Sequence, residues 1–117
     1  MNNESLDATL TALADPTRRA ILRQLMAGDA RVTQIARPFS ISLNSVSKHI
    51  RMLERARLVR RRRAGREHVL SFNASPLDAV SSWIEAQRAI WSARLDALDA
   101  VLETEEPTAG KSRRRGK

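Results

Sequence analysis

Polar and cationic side chains alternate with a regular apolar series between Ser42 and Glu54. Val46, Ile50 and Leu53 recur at helical spacing, which predicts a helix with one buried stripe. The other positions carry short polar groups, an imidazole and two cations: Asn44, Ser45, Ser47, Lys48, His49 and Arg51. Asparagine can form two hydrogen bonds with adenine, and hydroxyl and cationic groups suit phosphates. This is the chemistry of nucleic-acid recognition, although an ordinary surface helix shares the periodicity.

Ser42 is the predicted N-cap of this helix, because its hydroxyl can accept a hydrogen bond from the free amides of the first turn. Leu43, Asn44 and Ser45 then occupy the end that a DNA-recognition helix presents to base edges. His49 flanks the apolar stripe, where a phosphate contact and a packed imidazole both fit the sequence.

Residues suited to catalysis or metal binding are scarce. His49 and His68 are far apart in the chain, no nucleophile has a recognisable base partner, and there is no glycine-rich phosphate loop. His68 shares the phase of Leu70 and Phe72, so we expect it to be packed. The absence of cysteine excludes disulfides and thiolate metal sites. We therefore expect neither an enzyme nor a cofactor or metal site.

The positive charge is concentrated in one segment. The 117-residue chain has a formal net charge of +8, and residues 42–66 contain nine Lys or Arg and one acidic residue. Residues 67–110 are acidic in balance. Such a confined basic patch is typical of a nucleic-acid surface. The length suits one domain, and neither a membrane span nor a signal peptide is apparent, so we predict a soluble cytoplasmic protein.

Two helices are predicted in the first 27 residues. Residues 4–14 form the first, with Leu6 and Leu10 on its apolar face. An Asp-Pro pair starts the second, which covers residues 16–27. Its predicted core residues are Ile21, Leu22, Leu25 and Met26. Three arginines are expected to be solvated or ion-paired on its outer side, with a phosphate contact as the alternative for the first two: Arg18, Arg19 and Arg23.

A short third helix is predicted from Thr33, and Pro38 should end or kink it because proline removes a backbone donor. A tight connection then leads to the Ser42 helix. Two short helices joined in this way are typical of a helix-turn-helix unit.

The segment after Glu54 predicts a β-hairpin. One strand opens at Leu58, Ala64 and Gly65 form the turn, and alternating apolar residues form the return strand. The hairpin carries Arg60, Arg61, Arg62, Arg63 and Arg66. An arginine-rich hairpin beside a recognition helix can act as a wing that contacts the DNA backbone or minor groove. Charged residues also protect sheet edges, but five arginines exceed that need.

Residues 76–103 predict one long terminal helix of about 42 Å. Its apolar stripe is longer than a chain this small can cover, which argues against the alternative of an intramolecular core helix. We therefore predict a homodimer formed by this helix and the first one. The expected interface residues are Leu6, Leu10, Trp83, Ile84, Gln87, Trp91, Leu95, Leu98 and Leu102. Residues 1–105 would form the domain, and 106–117 a disordered basic tail.

Three strings carry a family resemblance: ALADPTRRAILRQL at 12–25, VTQIARPFSISLNSVSKHIRMLERARLV at 32–59 and RRRRAGREHVLSFN at 60–73. With them the chain resembles the ArsR/SmtB family of winged helix-turn-helix transcriptional regulators over residues 6–103. The resemblance implies a mainly α fold with a small β-hairpin. It also implies a homodimer that binds an inverted-repeat operator in double-stranded DNA and usually represses transcription.

The resemblance also assigns roles to residues. The recognition-helix positions are Ser42, Asn44, Ser45, Ser47, Lys48, His49 and Arg51, and the wing positions are Arg61, Arg62, Arg63 and Arg66. The family's metal sensors use Cys in the third helix or His and carboxylates in the terminal helix. This chain has no Cys and no His in residues 76–103, so we do not expect a transition-metal sensor. The effector, whether a small molecule, a protein or none, stays open.

Two other functions fit parts of the sequence. Sequence-independent binding of DNA or RNA is the main alternative, but single-stranded RNA is usually bound by exposed aromatics, whereas the four aromatic residues here fall on apolar stripes. The other alternative is a protein-interaction module whose basic patch is incidental.

Overall fold

The structure, a computed structural model, describes residues 3–105. Its elements in chain order are α1 (Asn3–Leu13), α2 (Pro16–Ala27), β1 (Ala30–Arg31), α3 (Val32–Ala36), α4 (Leu43–Arg55), β2 (Val59–Ala64), β3 (Glu67–Phe72) and α5 (Ser75–Glu105). The chain divides into two compact units, the first ending at Ser81 and the second beginning at Ser82. The mainly helical fold with a small sheet and a long final helix is confirmed. The predicted tail at 106–117 lies outside the described residues.

The helices of the first unit pack around one apolar core. Val46, Ile50 and Leu53 of α4 are each fully buried, as the periodicity predicts. They join a cluster with residues of α2, α3 and the sheet: Ile21, Leu22, Leu25, Ile35, Leu58, Val59 and Leu70. Burial of each large apolar side chain contributes about 1.5–3 kcal/mol relative to exposure. The core therefore fixes which side of α4 is left outside.

Three strands form an antiparallel sheet in the order β1-β3-β2. β2 and β3 are the predicted hairpin, with Ala64 opposite Glu67 across a two-residue turn. Gly65 has a φ of 68° in this turn, a left-handed conformation that glycine adopts without steric cost. The two-residue strand β1 was not predicted, because so short a segment has no alternating pattern. It pairs Ala30 with Leu70 and Arg31 with Val69.

The turn from α4 to β2 closes the helix in a specific way. Arg57 takes a left-handed φ of 64°, its amide donates to the Glu54 carbonyl at 2.9 Å, and the Leu58 amide donates to the Leu53 carbonyl at 3.0 Å. These two bonds form a Schellman motif. Asn73 Nδ2 also donates to the Arg57 carbonyl at 2.6 Å. The direction of the hairpin is thus fixed relative to the end of α4.

Two predicted orientations are wrong at the edge of the core. Met26 was expected in the core but is 51% exposed at the end of α2. His68 was expected to be packed but is exposed, because it lies at the start of β3, before the strand reaches the core at Leu70. Periodicity gives the phase of a side chain but not where the core ends.

Arg18 is the largest departure from the predicted solvated face, since only 9% of it is exposed. Its Nε donates to the Ala12 carbonyl at 2.8 Å and its Nη2 donates to the Thr11 carbonyl at 3.0 Å. Both carbonyls lie in the last turn of α1, where helical donors run out. The Thr11 carbonyl also accepts from the Ala14 amide at 3.1 Å, whereas Arg18 supplies the hydrogen bond to the Ala12 carbonyl. Arg18 therefore closes the end of α1 from its position on α2.

We predict that Arg18→Ala lowers the free energy of unfolding by about 2–3 kcal/mol, because it leaves the Ala12 carbonyl without its donor and removes a buried side chain. Arg18→Lys should restore little, since one ammonium cannot reproduce the forked guanidinium geometry. Urea unfolding followed by circular dichroism measures the change. The control is Arg23→Ala on the same helix, an exposed residue whose loss should cost less than about 0.5 kcal/mol. Equal midpoints for the Arg18 and Arg23 variants would contradict this role.

Candidate nucleic-acid interface

Ser42 begins α4 as predicted. Its backbone is extended, with φ −69° and ψ 155°, and its Oγ accepts a hydrogen bond from the Ser45 amide at 3.1 Å. The same hydroxyl donates to Ser45 Oγ at 3.1 Å. The bond to the amide satisfies one of the free donors of the first turn. The conformation of residues 42–45 is therefore fixed by the chain itself.

The exposed polar residues on the outer face of α4 include Asn44, Lys48 and Arg51. Within residues 3–105, none of their side chains has a hydrogen bond or ion pair. The cationic groups of Lys48 and Arg51 are therefore available to pair with an external anion. The side-chain amide of Asn44 is likewise available to donate and accept hydrogen bonds. Ser47 lies at the edge of this face and is half-buried.

His49 differs from its neighbours because it faces the protein. Its ring is half-buried, and its Nδ1 lies 3.2 Å from Arg18 Nη1 and 3.9 Å from Asp15 Oδ2. A guanidinium can only donate, so the contact with Arg18 needs an unprotonated Nδ1 that accepts. In the structure the His49 ring therefore packs against Arg18 and Asp15. A packed imidazole was one of the two interpretations that the sequence allowed.

Asp15 completes this cluster at the start of α2. Its Oδ2 accepts a hydrogen bond from the Arg18 amide at 3.0 Å, as expected of an N-cap. That hydrogen bond is the main cause that lowers the pKa of Asp15. Desolvation opposes the shift, and attraction to the Arg18 guanidinium adds to it. One cluster of side chains thus connects α2 with the middle of α4.

The wing is defined here as residues 59–72, and its arginines occupy different environments. Arg61 Nε and Nη2 donate to the Glu54 carboxylate at 3.0 and 2.9 Å. The hydrogen bond to Glu54 raises the pKa of Arg61 above its ordinary value, although desolvation opposes the shift. A two-point pair of this kind fixes β2 against the last turns of α4. Arg61 thus has a partner within the protein and is not a free cation.

The remaining wing arginines are exposed. Arg62 Nη2 lies 3.5 Å from Asp29 Oδ2, a surface pair of little energetic consequence. Arg63 Nε donates to the Gly65 carbonyl at 3.1 Å, next to the turn. Arg60 and Arg66 have no side-chain partner among the described residues. The structure therefore leaves a cluster of solvent-exposed cations on the hairpin and its turn.

The second unit, residues 82–105 as far as described, presents an apolar face of α5. Trp91 is 62% exposed and Ile90 is 63% exposed. The other exposed apolar residues on this helix are Trp83, Ile84, Leu95, Leu98, Val101 and Leu102. Gln87 is also exposed, and its Nε2 donates to the Trp83 carbonyl at 3.3 Å. Of the residues predicted from α1, Leu6 is buried and Leu10 is exposed.

Two residues on or next to α4 differ from what the sequence suggested. Arg18 was assigned to the outside, yet it keeps helical spacing with Ile21, Leu22 and Leu25, and that spacing is a usable signal. Leu43 was placed in the first turn of α4 but was given no role, and it is 52% exposed.

The part of the chain that the structure describes contains neither a cluster of metal ligands nor a membrane-spanning helix. No three His, Cys, Asp or Glu residues among 3–105 are grouped as metal ligands. None of the helices described combines the length and apolar composition needed to cross a membrane.

Comparison with known families and relatives gives a consistent result. The family described as a helix-turn-helix domain matches residues 13–62. An HTH-type transcriptional regulator of Mycobacterium tuberculosis, Rv2034, is 34% identical over 101 residues, which are 86% of this chain and 92% of that protein. The transcriptional repressor SdpR of Bacillus subtilis is 37% identical over 73 residues, which are 62% of this chain and 81% of the repressor.

Solved structures agree with the sequence relatives. A crystal structure of an ArsR family transcriptional regulator has a TM-score of 0.75 and 38% identity, covering 79% of this chain and 95% of that one. An ArsR-like transcriptional regulator from Rhodococcus sp. RHA1 has a TM-score of 0.76 and 28% identity, covering 84% and 92%.

Proposed function

This chain belongs to the ArsR family of helix-turn-helix transcriptional regulators, and on that premise we propose that it is a homodimeric repressor that binds an inverted-repeat operator. Like its relatives, it is a DNA-binding transcriptional regulator. It is not an enzyme. The observation that carries the proposal is the outer face of α4. There Asn44, Lys48 and Arg51 are exposed and unpaired within residues 3–105, beside a helix start fixed by Ser42.

Affinity in this proposal comes mainly from phosphate contacts. Lys48 and Arg51 on α4 and the exposed wing residues Arg62, Arg63 and Arg66 supply the cations, whose binding to DNA releases condensed counterions. We leave Arg61 out of this surface because Glu54 holds it in a two-point pair. We also leave out His49, since its Nδ1 contacts Arg18.

Sequence choice comes from the first turn of α4. Asn44 carries a side-chain amide, whose NH2 group donates and whose oxygen accepts. It can therefore form two hydrogen bonds with the edge of an adenine. The hydroxyls of Ser45 and Ser47 can contact phosphates or bases at close range. Repression is supported by the Bacillus subtilis relative, which is named a transcriptional repressor. We propose no transition-metal signal, because the chain has no cysteine.

The homodimer is proposed to form through α5. A contiguous exposed apolar face of this size is unusual on a monomer and is typical of an interface. Its two tryptophans could instead stack on RNA bases, but residues 67–110 are acidic in balance and would repel a polyanion. A second copy of the same helix offers the complementary apolar surface. Leu10 of α1 is exposed and is included in this proposed interface.

We predict that Asn44→Ala weakens binding to the cognate operator by about 1–3 kcal/mol and leaves binding to random duplex DNA almost unchanged, since only base reading is lost. Fluorescence anisotropy with both duplexes at one salt concentration measures the two affinities. Equal losses on both would exclude Asn44 from sequence reading.

Arg66→Ala is the matched contrast to that variant. It should weaken cognate and random DNA similarly and lower the slope of log affinity against log salt by about 1. An unchanged salt slope would remove the tip of the wing from the DNA surface.

We also predict that Trp91→Glu converts the dimer to a folded monomer, because it buries a charge in an apolar interface. Light scattering measures the mass and circular dichroism the helix content. The control is Ala93→Glu, which places the same charge about 200° around α5 from Trp91 and should leave a dimer. A Trp91→Glu protein that remains dimeric would exclude this face of α5 as the interface.

A further inference from the structure

Leu43 is an exposed apolar residue at the start of a polar, cationic helix face. It lies three residues before Val46, so its spacing continues the stripe of Val46, Ile50 and Leu53. Those three residues have no exposed surface, whereas 52% of Leu43 is exposed. The first turn of α4 therefore extends past the core and presents a large aliphatic group to the outside. The preceding Ile41 is 41% exposed.

The surroundings of Leu43 indicate what can cover it. Asn44 follows it, Lys48 and Arg51 lie further along the same helix, and residues 42–66 contain nine Lys or Arg and one acidic residue. A second copy of this surface would bring like charges together, which is unfavourable. The partner that matches the charge is a polyanion. It must also offer an apolar group small enough to lie beside hydrogen-bonding groups.

Duplex DNA combines these two properties in one place. The 5-methyl group of thymine is the apolar group that base edges display in the major groove, between the donors and acceptors that Asn44 can read. Because Ser42 Oγ holds the Ser45 amide at 3.1 Å, the backbone that carries Leu43 is already ordered without DNA. An aliphatic contact there costs little further backbone ordering.

We propose that Leu43 is a specificity-determining residue that packs against the 5-methyl group of a thymine in each half-site of the operator. The inference rests on the proposed function and adds one base to what the recognition helix reads. Burial of a single methyl group corresponds to about a fourfold change in affinity. Two symmetric half-sites together give about sixteenfold, the square of that factor.

The test begins with selection of bound sequences from a randomised duplex library by the full chain. Each thymine of the enriched sequence is then replaced by deoxyuridine, which removes the methyl group and leaves all hydrogen-bonding groups in place. We expect one thymine per half-site at which deoxyuridine weakens the unmodified protein about fourfold. Leu43→Ala should bind the thymine and deoxyuridine forms at that position equally.

Met26→Ala is the matched control. Met26 is 51% exposed, close to the 52% of Leu43, but it lies on α2. This variant should discriminate thymine from deoxyuridine as the unmodified protein does. The comparison within the unmodified protein needs no variant, so it holds even if a substitution perturbs folding.

The outcomes separate the two levels of the proposal. Enrichment of a sequence in which no thymine can be distinguished from deoxyuridine would overturn the role of Leu43 and leave operator binding intact. Retention of the thymine preference by Leu43→Ala would do the same. Failure to enrich any sequence would overturn operator binding itself, and the role of Leu43 with it.

Discussion

The buried guanidinium of Arg18 connects three helices of the first unit. It donates to carbonyls at the end of α1, belongs to α2, and contacts His49 in the middle of α4. A buried arginine is costly unless its donors are satisfied, so the last turn of α1 and the ring of His49 must stay where Arg18 can reach them. The orientation of α4 thus depends on a polar contact as well as on its apolar stripe.

Local backbone geometry then sets the two ends of α4. Ser42 orders the first turn, and the left-handed Arg57 ends the helix and starts the hairpin. The pair of Arg61 with Glu54 adds a side-chain contact across that junction. One wing arginine is therefore paired within the protein, and the other wing arginines lie on a hairpin whose start is fixed relative to α4. Binding of DNA to such a prearranged surface needs little ordering of the protein.

The elements that could be predicted from the sequence are those with local signals. Asp15 and Ser42 are caps that act within three residues, and the stripe of α4 repeats over three turns. What could not be predicted depends on tertiary distance. Met26 and His68 have core phase but lie beyond the edge of the core, and β1 exists only because β3 is beside it. The same holds for the contacts of Arg18 with α1 and α4 and for the pair of Arg61 with Glu54, because each joins two different elements.

The central claim is that the face of α4 between Asn44 and Arg51 reads a particular DNA sequence. Its most direct test is the affinity of the full chain for the DNA upstream of its own gene, compared with random duplex and structured RNA at near-physiological salt without added metal. We expect a preference for the upstream DNA of about a thousandfold or more. Equal, steeply salt-dependent binding to all three nucleic acids would contradict it.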